Sequence, residues 1–479
     1  MSSSFNLVWR ISFLLILPLC ISLLWKKLQT VGDVGIFPAH EELKRLDALP
    51  REDLSITYVS EDAYSGYQRI GLIKNNSATP DTTAVILNWS RFSNVRNIAA
   101  LLCGPWLDDI ISEVYIWNNN PKAIAFENFN GTGCSRKKLN IYNSPQNLYF
   151  QARFFACRQA STPLCFIQDD DYLVRPEVIT SMHAKMLDFH RSGVIHLLPP
   201  HEHLSSSLRE IHVSRKDGGS PIAIHTSFAW LGHGTMMRRS KAVEFLELMG
   251  LLDASTEEMK MADNYFTILS NRVSEIWFDQ GLELGGGEPF TVGSEGVERN
   301  NRHILRAAEY LESVIPSLMK SRSTGGKLPY VNLDETINVP PIRAACRVVA
   351  CMLETNIPLL PNDTVHTASS IKEILSIEKR NVDLIGESSM ENYLGHPPSF
   401  AVDGDRDTFF QSLQVARSGE YIQIDMLHGL CHGIDLEIRM SFLTDAGTVD
   451  LLQNGNFQVS DDSRTWVSNR LSQPSAVLS

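Results

Sequence analysis

The sequence predicts an α/β domain followed by a β-rich C-terminal module, both carried behind a single N-terminal membrane anchor. Three patterns lead there. Short apolar runs alternate with amphipathic helices between residues 82 and 198, as in an α/β layer. From about residue 376 the pattern turns to short alternating runs such as Tyr421-Ile422-Gln423-Ile424-Asp425. Near the start, residues 11–25 are predominantly apolar, with Arg10 before them and Lys26-Lys27 after.

At 479 residues the chain has room for about three domains at ~150 residues each. Lys plus Arg is 43 and Asp plus Glu 55, a net charge of −12, which argues against nucleic acid as a partner because phosphate binding needs a basic face. Eight cysteines are too few for a disulfide scaffold, and none stands in a CxxC, which excludes a zinc ribbon or finger.

The apolar run is short against the ~20 residues a bilayer core needs, but Phe5, Leu7, Val8 and Trp9 extend it past Arg10. With no small-x-small cleavage site behind it, it reads as an uncleaved anchor rather than a signal peptide. The acceptor sequences at Asn75, Asn130 and Asn362 suit N-glycosylation and hence a body in the secretory lumen. A fourth match, at Asn88, falls at the end of a buried strand. The expected topology is single-pass type II, in the Golgi or endoplasmic reticulum membrane.

Residues 28–80 read as a stem. Then Ala84–Leu87, Val114–Trp117, Leu164–Ile167 and Gly193–Leu198 are expected strands. Helices are expected through Val95–Leu102, over 147–160, and from Pro176 onward, where proline suits a first helical turn. Residues 321–375 contain Pro340-Pro341 and read as a linker, with Ala344–Leu353 a candidate helix.

Asp169-Asp170-Asp171 directly follows an apolar strand. Three adjacent carboxylates repel one another unless something positive sits there, and this edge of a parallel sheet is where ligands bind. Strand alternation puts Asp169 and Asp171 on one side and Asp170 on the other. Hard oxygen donors of this kind suit Mg²⁺ or Mn²⁺. The plain alternative is a solvated turn that caps the next helix.

The surroundings of the triplet resemble the exostosin-like glycosyltransferases, over residues 82–310. The resemblance is carried by Asn88-Trp89-Ser90-Arg91, Trp117-Asn118-Asn119, Arg153 sixteen residues ahead of the triplet, Asp169-Asp170-Asp171, Leu231 through Gly234 with Ser240-Lys241, and Ala262-Asp263-Asn264. It implies a GT-A fold, a mixed sheet that binds a nucleotide sugar, over residues 81–320. It also implies metal-dependent, retaining transfer of a sugar, an N-acetylhexosamine, from a UDP-sugar to a glycan or glycoconjugate acceptor. In these terms Asn88, Asn118 and Asn119 meet the uridine, Arg91 and Arg153 pair with phosphate oxygens, and Asp169 and Asp170 contact the nucleotide sugar. Asp171, with Asp169, holds Mn²⁺ or Mg²⁺. Asp263 acts on the acceptor side, and Arg306, or alternatively Arg302, is the late catalytic arginine. Taken singly, Asn118 and Asp263 read equally as helix N-caps and the arginines as surface ion pairs.

Three departures stand out. Asn264 replaces the second acid of the family pair, Ala262 replaces a disulfide cysteine, and Pro200-His201-Glu202-His203 replaces a basic run. The last reads as a pocket-lining loop or as nothing functional, because three successive residues cannot all face one ion. Gly285-Gly286-Gly287 reads as a pocket loop. The loss at Asn264 leaves a second reading open, a non-catalytic carbohydrate-binding protein that keeps the fold.

Beyond residue 376, PPSFAVDGDRDTFFQS at 397–412 and Phe457–Trp466 resemble a discoidin (coagulation-factor type C) β-sandwich. The resemblance implies a module over 376–479, without its last strands, and a structural Ca²⁺ at Asp403, Asp405 and Thr408.

Overall fold

The computed structural model describes residues 79–427, except 188–192, 218–219, 280, 287–292, 324–329, 335, 348–349, 406, 415–416, 418 and 426. It also describes the strands Ser441–Thr444, Gly447–Asp450 and Val477–Leu478. The expected anchor, the stem up to residue 78, Asn75 and the 457–466 stretch lie outside the described residues. No helix among the described residues is long and apolar enough to cross a membrane.

The chain begins with β1 (Thr82–Asn88), α1 (Phe92–Leu102), β2 (Ile111–Asn118), β3 (Leu139–Asn143), α2 (Gln151–Gln159) and β4 (Leu164–Gln168). It continues through β5 (Tyr172–Leu173), α3 (Pro176–Leu187), β6 (Val194–Leu198), α4 (Pro200–Leu208) and the hairpin β7 (Ile211–Asp217) and β8 (Ser220–Thr226). Next come β9 (Thr235–Arg238), α5 (Arg239–Leu251), α6 (Thr256–Lys260), α7 (Ala262–Leu269), β10 (Ile276–Phe278) and β11 (Leu282–Glu283). Then follow α8 (Gly293–Ser323), β12 (Ile342–Ala345), β13 (Met352–Thr355), α9 (Ile374–Gly395) and β14 (Ile422–Asp425).

Ten of these strands form one mixed sheet in the order β14-β13-β12-β10-β6-β9-β4-β1-β2-β3. The β1, β2, β3 and β4 strands pair in parallel, and β9 is antiparallel to both β4 and β6. Alternation along the strands divides the core. Val85, Cys165 and Ile167 face α2, α5, α7 and α8, whereas Ala84, Ile86, Leu164 and Phe166 face α1 and α3. Phe154, Phe245 and Phe266 lock the first layer with ring centroids 4.7–5.2 Å apart. Burying each such ring is worth about 1.5–3 kcal/mol. With both faces covered, the central strands are continuous apolar runs, which is why they could be read directly from the sequence.

Four expectations are corrected. Residues 200–203 are not a loop: Pro200 opens α4, since a proline in the first turn loses no intrahelical bond. The candidate helix at 344–353 is instead the β12–β13 hairpin, closed by the Cys346–Cys351 disulfide. From 374 the chain is helical, not β, through α9, which is broken at Gly386 where φ is +72°. Tyr421–Asp425, expected in a separate sandwich, supplies β14, which pairs with β13 at the edge of the central sheet. The expected boundary at 375/376 therefore falls within the fold that carries this sheet. The strands Ser441–Thr444, Gly447–Asp450 and Val477–Leu478 form a three-stranded antiparallel sheet of their own.

A second disulfide joins Cys103 to Cys134, and Cys157 and Cys165 are buried free thiols. Asn130 and Asn362 are exposed, while Asn88 is buried.

Candidate functional site

A cavity of about 660 Å³ opens at the carboxyl ends of β1 and β4. The acidic triplet forms part of its wall. Asp169-Asp170-Asp171 is the turn from β4 into β5, anchored by Asp169 N–H donating to Gly232 O (2.9 Å) and Leu284 N–H donating to Asp171 O (2.8 Å). The Asp169 and Asp171 side chains are 27% and 33% exposed into this space, against 8% for Asp170.

Charge compensation comes from two arginines. Arg91 Nη1 lies 2.8 Å from Asp170 and 3.3 Å from Asp171. Arg153, fully buried on α2, sits 2.8 Å from Asp169 Oδ1 and 3.0 Å from Asp263 Oδ2. Burial opposes its charge, but the facing carboxylates hold it above its ordinary value. Burial also pushes the Asp263 carboxyl up to about 7 despite Arg153. Burial and the neighbouring Asp169 push Asp171 up to about 6, and burial raises Asp170 as well.

Glycine makes the approach of Asp169 possible: a Cβ on Gly232 would lie 2.2 Å from its Oδ2. Gly286, at φ +104°, packs against the Arg91 side chain, where an added Cβ would lie 3.2 Å from its Cδ. Gly285 lines the cavity and accepts a hydrogen bond from Asn94 Nδ2, while Gly287 lies outside the described residues.

The remaining expected residues divide. Asn88 lines the cavity, and its Oδ1 is buried without a partner. Its Nδ2 donates to Asn118 Oδ1 (2.6 Å), and Asn118 Nδ2 donates to Asn143 Oδ1 (2.7 Å) and Lys122 O (3.0 Å). Asn118 is thus neither a ring-binding edge nor a helix cap but the middle rung of an amide ladder across β1, β2 and β3, away from the cavity wall. Asn119 lines the cavity, but its Oδ1 is taken by Trp117 Nε1 and Leu148 N–H, fixing the loop that carries Tyr149 and Phe150. Arg153 lines the cavity, with its buried guanidinium clamped between the carboxylates of Asp169 and Asp263. Asp263 lies inside α7 rather than capping it, because the helix begins at Ala262. Arg306 is corrected most clearly. It is exposed on α8, bound to Glu258 (2.9 Å) and Glu309 (3.1 Å), and neither it nor Arg302 lines the cavity.

The expected Ca²⁺ ligands are engaged locally. Asp403 Oδ1 accepts from Asp405 N–H (2.9 Å), its Oδ2 from Thr408 Oγ1 (2.8 Å), and Asp405 Oδ1 from Asp407 N–H (3.0 Å). The loop is closed by its own hydrogen bonds, as in an Asx turn.

Several wall residues had no role of their own in the sequence reading, although His201 and Glu202 do line the cavity as expected. Trp89, 47% exposed, and Trp230 offer aromatic faces. Glu202 and His233 pair at 3.0 Å, and against the cost of burial Glu202 raises the His233 imidazole above its usual value. His233 stood in the sequence between the glycines at 232 and 234, and Glu202 in the stretch read as a loop.

No protein-family model matches the chain, and no curated protein sequence matches it. Among solved structures, residues amounting to 51% of the chain align with 74% of TarS 1–349 from S. aureus, at 14% identity and TM-score 0.27. A structure of GalNAc-T7 with UDP, GalNAc and Mn²⁺ aligns over 52% of this chain and 53% of its own, at 12% identity and TM-score 0.30. Glucosyl-3-phosphoglycerate synthase from Mycobacterium tuberculosis, with Mn²⁺, UDP-glucose and phosphoglyceric acid, aligns over 51% and 84%, at 9% and 0.31.

Proposed function

We propose that the chain is a metal-dependent glycosyltransferase of GT-A type that uses a UDP-sugar donor, with the 660 Å³ cavity as its active site. The observation that carries this reading is the acidic triplet at the carboxyl end of β4, with two carboxylates open to the cavity and a third held inward by Arg91. This is the strand edge at which α/β sheets bind ligands.

The donor set fits a divalent ion: Asp171 and Asp169 present hard oxygens, and their mutual repulsion is what a cation would relieve. A divalent ion held by Asp171 and Asp169 would supply charge neutralisation for a diphosphate leaving group. The chain's own residues do the rest. Arg91 holds Asp170 and Asp171 in place. Trp89 offers a stacking face to the nucleobase and Asn88 Oδ1 an acceptor. Arg153 fixes Asp263 relative to Asp169, and the Asp263 carboxyl, at about 7, is suited to hold or accept a proton at the acceptor side.

The finer reading is retaining transfer of an N-acetylhexosamine to a glycan or glycoconjugate in the Golgi or endoplasmic reticulum lumen, from a type II anchor. The Cys103–Cys134 and Cys346–Cys351 disulfides and the exposed Asn130 and Asn362 suit an oxidising lumen. The purely carbohydrate-binding reading rests on Asn264. That side chain is fully buried and does not line the cavity, so the substituted acid removes no charge from the wall.

The test is UDP release by the purified protein across a panel of UDP-sugars with Mn²⁺ and glycan acceptors. Donor-dependent release that stops with chelator is expected. Binding of UDP without turnover of any donor would favour the carbohydrate-binding reading.

A further inference from the structure

A second cavity, of about 470 Å³, shares α4 as a wall with the first: His201 and Glu202 line one, while His203, Ser206 and Ser207 line the other. At its edge Glu210, His212 and His366 converge, with one carboxylate oxygen and two imidazole nitrogens within 4.8 Å of one another. Among the described residues this is the group of His, Cys, Asp and Glu side chains with such mutual reach. We propose that Glu210, His212 and His366 form a zinc site, separate from the acidic triplet.

The site is built from distant parts of the chain, and the backbone holds them together. Glu210 and His212 enter β7, whereas His366 arrives on the segment between β13 and α9. His212 N–H donates to His366 O (2.7 Å), and Ala368 N–H returns a bond to His212 O (3.0 Å). Asn381, fully buried on α9, ties both segments at once. Its Nδ2 donates to Leu208 O (3.1 Å) and Val365 O (2.9 Å), and its Oδ1 accepts from Val365 N–H (2.8 Å). The two ligand-bearing segments are therefore held together before any ion arrives.

The side chains are poised in the same sense. His212 Nε2 meets Glu210 Oε1 at 2.8 Å, while His212 Nδ1 is enclosed without a hydrogen-bond partner. A simple Glu210–His212 pair would not require a second imidazole, yet the His366 ring stands 5.8 Å from that of His212, at 65°. Two imidazoles and a carboxylate suit Zn²⁺, whereas Mg²⁺ and Mn²⁺ favour all-oxygen sites. Three protein ligands leave a fourth position, and all three residues line the cavity, so water or an oxygen or nitrogen ligand from solvent can complete the tetrahedron.

The experiment uses the full chain stripped of metal, with Zn²⁺ added alone against a chromophoric competitor. One equivalent should bind and raise the melting temperature, equally in Asp171→Asn, which leaves the triplet impaired. His366→Ala should weaken Zn²⁺ by about 10²-fold or more. Because His366→Ala could also perturb the fold, Co²⁺ is added to the unaltered protein, where visible bands of a four-coordinate nitrogen–oxygen site are expected. Absence of saturable Zn²⁺ binding, absence of those bands, or a folded His366→Ala that binds Zn²⁺ like the parent would overturn the proposal. Loss of the site in Asp171→Asn would assign it to the triplet and overturn it equally.

Discussion

The two cavities that share α4 stabilise charge in opposite ways. The first crowds Asp169, Asp170, Asp171 and Asp263 together and compensates them with Arg91 and the buried Arg153. The second places two imidazoles and one carboxylate on segments joined by backbone bonds and Asn381. One surface has an excess of hard negative charge and calls for a cation with an anionic ligand. The other offers two imidazole nitrogens and one carboxylate oxygen, a mixed donor set that suits a softer ion. The difference shows how one scaffold can separate two ion chemistries by donor type.

The largest effect should follow from removing the clamp of the first region. Arg153→Met leaves Asp169 and Asp263 without their buried partner and should cost about 3–5 kcal/mol of stability, read from denaturant unfolding. A loss no larger than that of an exposed ion pair would mean that the carboxylates do not depend on Arg153. Next in size is Asp263→Asn. With UDP affinity nearly intact, turnover should fall by about 10²-fold, the scale of a positioned acid–base group. Equal losses in binding and turnover would break the division of labour within the cavity.

Gly232→Ala should act more gently. Its Cβ would displace the Asp169 carboxylate and weaken Mn²⁺-dependent UDP binding by about tenfold, with Zn²⁺ binding unchanged. A parallel loss of both ions would show that the two regions are not independent.

The smallest effect concerns acid sensitivity. His203 lines the second cavity, stacks on Phe278 at 3.9 Å, and is pushed down to about 3 by burial; His196, in the central sheet, is pushed down to about 4 in the same way. Both are neutral in the folded state and take up protons on unfolding. Their stability contribution is therefore complete above about pH 6.5 and is lost as pH falls toward those values. Each should cost about 1 kcal/mol by pH 5.5, against the opposite trend of the raised Asp263 and Asp171 carboxyls, so it is read as the difference in pH dependence between the unaltered protein and His203→Gln or His196→Gln. A variant whose stability falls with pH as steeply as the parent's would contradict this.

The two regions also differ in how far the sequence discloses them. The β1, β2, β4 and β6 strands are apolar runs buried on both faces, and the triplet is contiguous, so strand, edge and acid cluster could be read together. What each acid pairs with could not, because Arg153 reaches Asp263 across 110 positions of sequence. The Arg306 assignment failed because spacing along a helix does not say which face meets the cavity. The β10, β12 and β13 strands have three or four residues, too short for a period to emerge, whereas the alternation of β14 was legible but assigned to a separate sandwich. The Glu210, His212 and His366 group was invisible for the same physical reason: a contact between His212 and His366 spans 154 positions and depends on a backbone pairing that no local pattern encodes.

The central claim is that the triplet holds a cation through which the nucleotide binds. The direct measurement is the affinity of UDP by titration calorimetry, with Mn²⁺ and with excess chelator, for the unaltered protein and for Asp171→Asn. Saturable binding that needs Mn²⁺ and falls by about 10²-fold or more in Asp171→Asn is the predicted result. UDP affinity unchanged by chelator, or unchanged by the loss of the Asp171 charge, would contradict it.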